Sequence, residues 1–200
     1  MIEFHNVTKN YHKRNGIFNV SFTINRNDFV ILSGENGSGK TTTIKLILSF
    51  LRLNSHDGGS ITNEFKSISY IPERIVLPPF IKGKEFIEDL LKLQKNEIDY
   101  QSYFDYLGLD SSIMIGSYSK GMRQKLGIIQ ALVSTSELVL LDEPLTGLDE
   151  ATQGKVFNLL KELKGKKTVV ISTHNSLLFE SLSNKHLHFE AGRLVSITHY

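Results

Sequence analysis

Phe29-Val30-Ile31-Leu32-Ser33-Gly34-Glu35-Asn36-Gly37-Ser38-Gly39-Lys40-Thr41-Thr42 decides how the rest of this chain is read. The apolar run Phe29–Leu32 suits a strand buried on both faces. Gly34 to Thr41 then follow the spacing G-x-x-x-x-G-K-[ST]. Glycines at these places let successive backbone N–H groups turn inward around phosphate oxygens, with no side chain in the way. From Thr42 to Leu53 the apolar residues Ile44, Leu46, Ile47, Phe50 and Leu51 recur at helical intervals, so a helix is predicted there. Its positive end faces the same loop. Gly34, Glu35, Asn36, Gly37, Ser38, Gly39, Lys40, Thr41 and Thr42 are therefore expected to hold a nucleoside triphosphate. Lys40 would reach its β- and γ-phosphates, and the Thr41 hydroxyl would ligate Mg²⁺. A glycine-rich turn that matches by accident is the competing reading, and the strand before it and helix after it argue against that.

Downstream, Leu138-Val139-Leu140-Leu141 is a second apolar run, and it delivers Asp142 and Glu143 at its end. Acids at the carboxyl end of a strand in an open α/β sheet face the ligand crevice. Asp142 suits Mg²⁺, and Glu143, pointing the other way, suits the orientation or deprotonation of an attacking water. Solvated acids at a surface strand end are the plainer reading, which the glycine loop in the same chain makes less economical.

The remaining pattern frames these two segments. Ile2–Val7 and Phe18–Ile24 alternate apolar with polar residues, with breaks at Asn15-Gly16 and Asn25-Arg26-Asn27-Asp28. His56-Asp57-Gly58-Gly59 reads as a turn, and Ser60–Phe65 and Ile68–Ile71 as strands. From Lys84 to about Val133 the periodicity is helical, which predicts a helical lobe inserted into an α/β core. A helix around Ala151–Leu163, a strand Thr168–Ile171 and a hairpin, His186–Phe189 with Leu194–Thr198, complete the pattern. A net charge of +2 is too small for the dense basic face that nucleic acid requires. The absence of cysteine excludes disulfides and thiolate metal sites. No run reaches the roughly 18 apolar residues of a membrane span, and Met1–His5 lacks the basic and apolar regions of a secretory leader. A cytoplasmic chain is expected, with no large regulatory domain after the hairpin.

Tyr118-Ser119-Lys120-Gly121-Met122-Arg123-Gln124 resembles the signature of the ATP-binding subunits of ABC transporters, and the likeness runs along the whole chain. Ser119 and Gly121 match that signature, whereas Tyr118, Lys120 and Met122 depart from its commonest form, L-S-G-G-Q. A lysine and a methionine at these places are similar to exporters with a separately encoded permease. Ser119 also precedes a helix with Met122, Leu126, Ile129 and Val133 on one face, and taken alone plain N-capping of a core helix is the better account of it. Thr146-Gly147-Leu148-Asp149 resembles the loop in which the aspartate links the sites of two subunits. His174, after Thr168–Ile171, resembles the switch histidine that contacts the γ-phosphate. Tyr11 resembles the aromatic that stacks on adenine, although packing near a strand end explains such a residue too. Glu73 stands where the family usually has a glutamine that touches Mg²⁺ or the attacking water.

The resemblance implies an ABC ATPase fold of the α/β class. That fold has a P-loop NTPase core with a mainly parallel sheet, an N-terminal antiparallel β subdomain and an inserted helical subdomain. The core would take about 1–77 and 134–200, and the helical subdomain about 78–133, all within one ABC ATPase domain. It further implies ATP and Mg²⁺ as ligands, with Thr41, Asp142 and Glu73 at the metal and Glu143, His174 and Lys40 in catalysis. Ser119, Gly121 and Asp149 would act across a head-to-tail dimer, homomeric or heteromeric. A transmembrane permease would hold the subunit at the inner face of the membrane, and export is the direction implied. A soluble ABC ATPase acting on ribosomes or DNA, and a regulatory cassette with little turnover, are the other classes open to this sequence.

Overall fold

The computed structural model describes residues 1–12, 15–54 and 56–200. In chain order it runs β1 (Ile2–His12), β2 (Asn15–Ile24), β3 (Phe29–Ser33), α1 (Lys40–Ile47), β4 (Gly58–Asn63) and β5 (Ile68–Ile71). Three helices follow, α2 (Gly83–Gln94), α3 (Gln101–Leu107) and α4 (Lys120–Val133). The chain then returns through β6 (Leu138–Asp142), α5 (Glu150–Lys161), β7 (Thr168–Thr173), β8 (Lys185–Glu190) and β9 (Arg193–His199). One sheet has three strands in the order β2-β1-β4, all antiparallel neighbours. The other has six in the order β5-β6-β7-β3-β8-β9, parallel except where β9 pairs with β8.

Apolar runs form the middle of the six-stranded sheet because both of its faces are covered. Phe29, Ile31, Val139, Leu141, Val169 and Ile171 join a core with side chains of α2–α5, such as Ile87, Phe104, Ile128 and Leu160. Val30, Leu32, Leu138, Leu140 and Val170 face a second core with Ile2 and Phe4 of β1 and Ile44 and Ile47 of α1. In register, Ser33 lies opposite Thr173 and Asp142 opposite Ser172. The parallel strands β3, β6 and β7 thus end together, and Gly34, Glu143 and His174 emerge at one end of the sheet, where ligands of such folds sit.

Several sequence expectations shift. β1 and β2 run further than the alternation predicts because the ladder is bulged between Phe4/Val7, Val7/Lys9 and Asn10/His12. Asn6 and Asn19 take left-handed φ values of 50° and 51°, so the period of two is lost midway. Asn15-Gly16, expected as a break, opens β2 instead, and residues 13–14 lie outside the described residues. β4 starts at Gly58 rather than Ser60. Gly59 (φ 83°) makes this possible, since a Cβ there would stand 2.3 Å from the His5 carbonyl oxygen. α1 ends at Ile47 and not at Leu53. Ser49 turns left-handed (φ 58°), Ser49 and Leu51 N–H bond back to Leu46 and Lys45, and Phe50 is left exposed rather than packed. Between Leu107 and Lys120 the helical texture gives way to an irregular segment holding one short 3₁₀ turn, Ile115–Ser117.

Two buried ion pairs brace the strands. Lys9 Nζ lies 2.8 Å from Asp57 and joins β1 to the start of β4. Lys185 Nζ lies 3.2 Å from Asp28 and also donates to the Thr23 carbonyl at 2.6 Å, fixing the amino end of β8 against the turn before β3. Among the described residues no helix is long and apolar enough to cross a membrane.

Candidate functional site

Gly34, Gly37 and Gly39 all have positive φ (139°, 80° and 114°). At two of them there is also no room for a side chain. A Cβ on Gly34 would meet Phe189 O at 2.1 Å, and one on Gly39 would meet Ile17 Cγ2 at 2.7 Å. The loop is therefore pressed between the β8–β9 hairpin and the start of β2, and Gly192 N–H donates to Ser38 O at 3.0 Å. α1 starts at Lys40 with no side chain capping its first turn, which leaves its N–H donors for an anion. Lys40 is buried, and its Nζ donates to Gly34 O at 2.6 Å and Glu35 O at 3.1 Å.

The acid pair meets this loop from β6. Asp142 Oδ2 accepts from Thr41 Oγ1 at 3.2 Å, and Oδ1 accepts from Ser172 Oγ. Glu143 adopts a left-handed φ of 50°, so the chain turns sharply just past Asp142. Its N–H is shared between Ser172 O (3.0 Å) and Ser172 Oγ (3.1 Å). Its Oε2 lies 2.9 Å from His174 Nδ1. Its Oε1 lies 3.9 Å from Lys40 Nζ, too far for a hydrogen bond, and is buried with no hydrogen-bonding partner among the described residues. A cavity of about 120 Å³ opens here, lined by Asn36 to Thr42 with Glu73, Asp142 and Glu143. Burial pushes the Tyr70 phenol up to about 12, and the Asp142 and Glu73 carboxylates nearby add to the shift. Hard oxygens of Thr41 and Asp142 converge beside the orphaned Glu143 Oε1, a donor set that fits Mg²⁺.

The structure places the remaining expected residues unevenly. Glu73 reaches the rim of the phosphate cavity and also lines a cleft with Arg74, Lys120 and Arg123. Ser119 caps α4, its hydroxyl accepting from Met122 N–H at 3.2 Å. Gly121 packs on the loop after the acids, where a Cβ would stand 3.1 Å from Gly147 O. Neither Ser119 nor Gly121 lines the phosphate cavity of its own chain. Asp149 caps α5, accepting from Thr152 N–H and Oγ1 at 2.9 and 3.0 Å, and the Thr152 N–H holds its carboxyl below the usual range. Tyr11 is exposed on β1 and lines neither the phosphate cavity nor the neighbouring cavity of about 540 Å³ on the Glu35–Ser38 side. It does stand at the hairpin end whose Gly16 carbonyl presses on Gly192. Tyr118, which departs from the family's leucine, is a core residue of the helical region and donates to Asp110 O at 2.7 Å.

Two residues have a part in this arrangement that the sequence does not specify. Ser172 contacts both acids, and its signal was a hydroxyl in a strand that is otherwise apolar. Gln124 is buried on α4 and its Nε2 donates to Pro144 O at 2.9 Å, tying the helix behind Ser119 to the turn behind Glu143. It closes the Tyr118–Gln124 stretch, but nothing there names its acceptor 20 residues on.

Comparison with known proteins agrees with this geometry. Residues 17–146 match the ABC transporter family model. An uncharacterized ABC transporter ATP-binding protein of Bacillus subtilis, YhcH, is 32% identical over 213 residues, covering 98% of this chain and 69% of the relative. The zinc import ATP-binding protein ZnuC of Rickettsia bellii is 32% identical over 188 residues, covering 92% of this chain and 79% of the relative. Among solved structures, an ATP-binding subunit of an ABC transporter superposes with a TM-score of 0.84 at 26% identity, covering 99% of this chain and 89% of that one. A dimeric bacterial ABC transporter cassette has the same fold, with a TM-score of 0.82 at 23% identity over 100% of this chain and 98% of that one. The chain belongs to the ATP-binding subunits of ABC transporters, a family of ATPases.

Proposed function

We propose that this chain is the motor of an exporter, hydrolysing ATP in a head-to-tail dimer to move a substrate through a separate transmembrane permease. The observation that carries the reading is Glu143. It is bent by a left-handed backbone over the phosphate cavity, held by His174 on one oxygen and left unbonded on the other. An unbonded, buried carboxylate oxygen beside a phosphate loop is placed to orient an attacking water and accept its proton. Lys40 would exchange the Gly34 and Glu35 carbonyls for phosphate oxygens, and the α1 amino end would meet the same charge. Thr41 and Asp142 would hold Mg²⁺, which supplies positive charge to the phosphates when bound. Because Ser119 and Gly121 stand outside their own chain's phosphate cavity, they are read as serving the nucleotide of a second copy. Asp149 and the Gly147 contact to α4 would pass that closure on to the acids. Glu73 and the exposed Val76 and Phe80 beside it would face the permease at the cytoplasmic side of the membrane.

Direction rests on Ser119-Lys120-Gly121-Met122, whose form is similar to exporters. The relatives named as zinc import proteins favour uptake instead, and that second reading is kept for this reason alone. Glu143→Gln is expected to lose turnover by roughly 10²-fold or more, yet to form a dimer in ATP that light scattering detects. Ordinary hydrolysis by this variant would remove Glu143 as the base. Capture of the same variant from its own cells, followed by mass spectrometry, is expected to return a multi-spanning membrane protein. Transport by that pair in vesicles decides the direction, and ribosomes or no partner at all would refute the transport role.

A further inference from the structure

We propose that Ser172 is a positioning residue for the reaction, setting both acids of the site through one hydroxyl. The inference rests on the ATPase reading above. Ser172 is fully buried on β7 in register with Asp142. A serine hydroxyl has one proton to give and two lone pairs to offer. That proton goes to Asp142 Oδ1, and the Glu143 N–H donates to the same oxygen at 3.1 Å. The bonding therefore runs in one sense, from Glu143 N–H to Ser172 Oγ and from Ser172 O–H to Asp142.

Two consequences follow at the reacting end. With Oδ1 occupied, Asp142 presents Oδ2 toward Thr41, the side on which the metal would be held. The N–H clamp also anchors the left-handed turn at Glu143, which aims its carboxylate at Lys40 and His174. The turn has a second anchor in Ser172 O (3.0 Å), so loss of the hydroxyl loosens the arrangement without abolishing the strand. If the serine were only a small residue filling space, alanine would serve as well. A packed β7 would then leave catalysis untouched.

Ser172→Ala is the direct test, measured beside Ser172→Thr, which keeps the hydroxyl. Loss of such an outer partner is expected to lower kcat roughly 10–100-fold and to raise the Mg²⁺ concentration needed for half-maximal binding of a fluorescent ATP analogue by a similar factor. Binding of the analogue without Mg²⁺ should stay within about twofold of the parent, and Ser172→Thr should recover most of both losses. Retention of kcat and Mg²⁺ dependence by a folded Ser172→Ala protein would overturn the proposal. Should alanine prevent folding, Ser172→Thr and Ser172→Val give a pair of equal shape that differs only in the hydroxyl, and equal activity of these two would overturn it as well. Normal turnover in Glu143→Gln would instead undo the ATPase assignment of the acids, so the two failures are distinguishable.

Discussion

Removing the Asp28 carboxylate should destabilise the fold severely while leaving the chemistry intact. The Asp28 and Lys185 side chains are only 10% and 8% exposed, and they lie 3.2 Å apart. Burial raises the Asp28 pKa, but bonds from Asn25 N–H (2.7 Å), Asn184 Nδ2 (2.8 Å) and Lys185 outweigh it, and the carboxyl stays below its usual range. Asp28→Ala strands the ammonium of Lys185 with only the Thr23 carbonyl as partner among the described residues. Breaking a buried pair from one side in this way costs about 3–5 kcal/mol. At about 2–4 °C per kcal/mol for a chain of this size, the melting temperature should fall by roughly 6–20 °C. Asp28→Asn keeps an acceptor for Asn25 N–H and should cost less. In a Lys185→Met background, where no charge is left behind, the alanine substitution should cost less again. Thermal and urea unfolding followed by circular dichroism measure the parent and all four variants. The pair lies at the amino ends of β3 and β8, opposite the phosphate loop, so the ATPase rate at 20 °C should be unchanged. A loss below about 1 kcal/mol, or one equal in both backgrounds, would refute the reasoning.

Gln124→Leu removes the donor to Pro144 O and should cost about 1–2 kcal/mol of stability. Turnover should fall several-fold while ATP affinity stays within twofold, since the contact joins α4 to the Glu143 turn and touches no phosphate. Equal losses in affinity and turnover would show that Gln124 acts on the loop itself. Acidification should weaken the fold in two separate windows. Burial, and then the charge of His188, hold His186 below the ordinary imidazole value. The unfolded chain therefore takes up its proton first, and stability falls as the pH drops through about 6.5. Asp28 and Asp57, both held low in the folded protein, keep their contribution until the pH falls below about 4. Melting temperatures from pH 8 to 3 resolve the windows, and His186→Phe should erase the upper one only.

How much of this was legible depended on how far apart the deciding contacts lie in sequence. The glycine turn between β3 and α1, the acids at the end of β6 and the three apolar strands are local patterns, and a dozen residues suffice to place each of these elements. The Glu143 turn is not local, because its φ of 50° is anchored by a residue 29 positions later. Gln124 likewise finds its acceptor 20 positions away. Such contacts need the strand register, which apolar runs buried on both faces do not encode, since every slip still buries them. β1 and β2 exceed the length their alternation predicts for the opposite reason. Their alternation is real, but bulges at Asn6 and Asn19 reset which face is apolar, so a pattern of period two breaks where the strand does not.

Ser119 and Asp149 show a different limit. Each is an N-cap with a bond of ordinary length, which is all that a reading based on helix chemistry alone would assign. Capping, however, does not require Gly121 to press on Gly147 or Gln124 to hold Pro144. Those contacts couple the start of α4 to the segment from Glu143 to Asp149 as one packed unit. A ligand that pulled on the amino end of α4 would therefore act on the acids through side chains already in contact. Glu73, which lines both the phosphate cavity and the cleft beside Lys120 and Arg123, sits where the same displacement would reach the exposed Val76–Phe80 loop. The signature, the acids and the loop read as the permease contact thus share one mechanical path, and its middle link is Gln124, the last residue of the signature stretch, through its bond to Pro144 O.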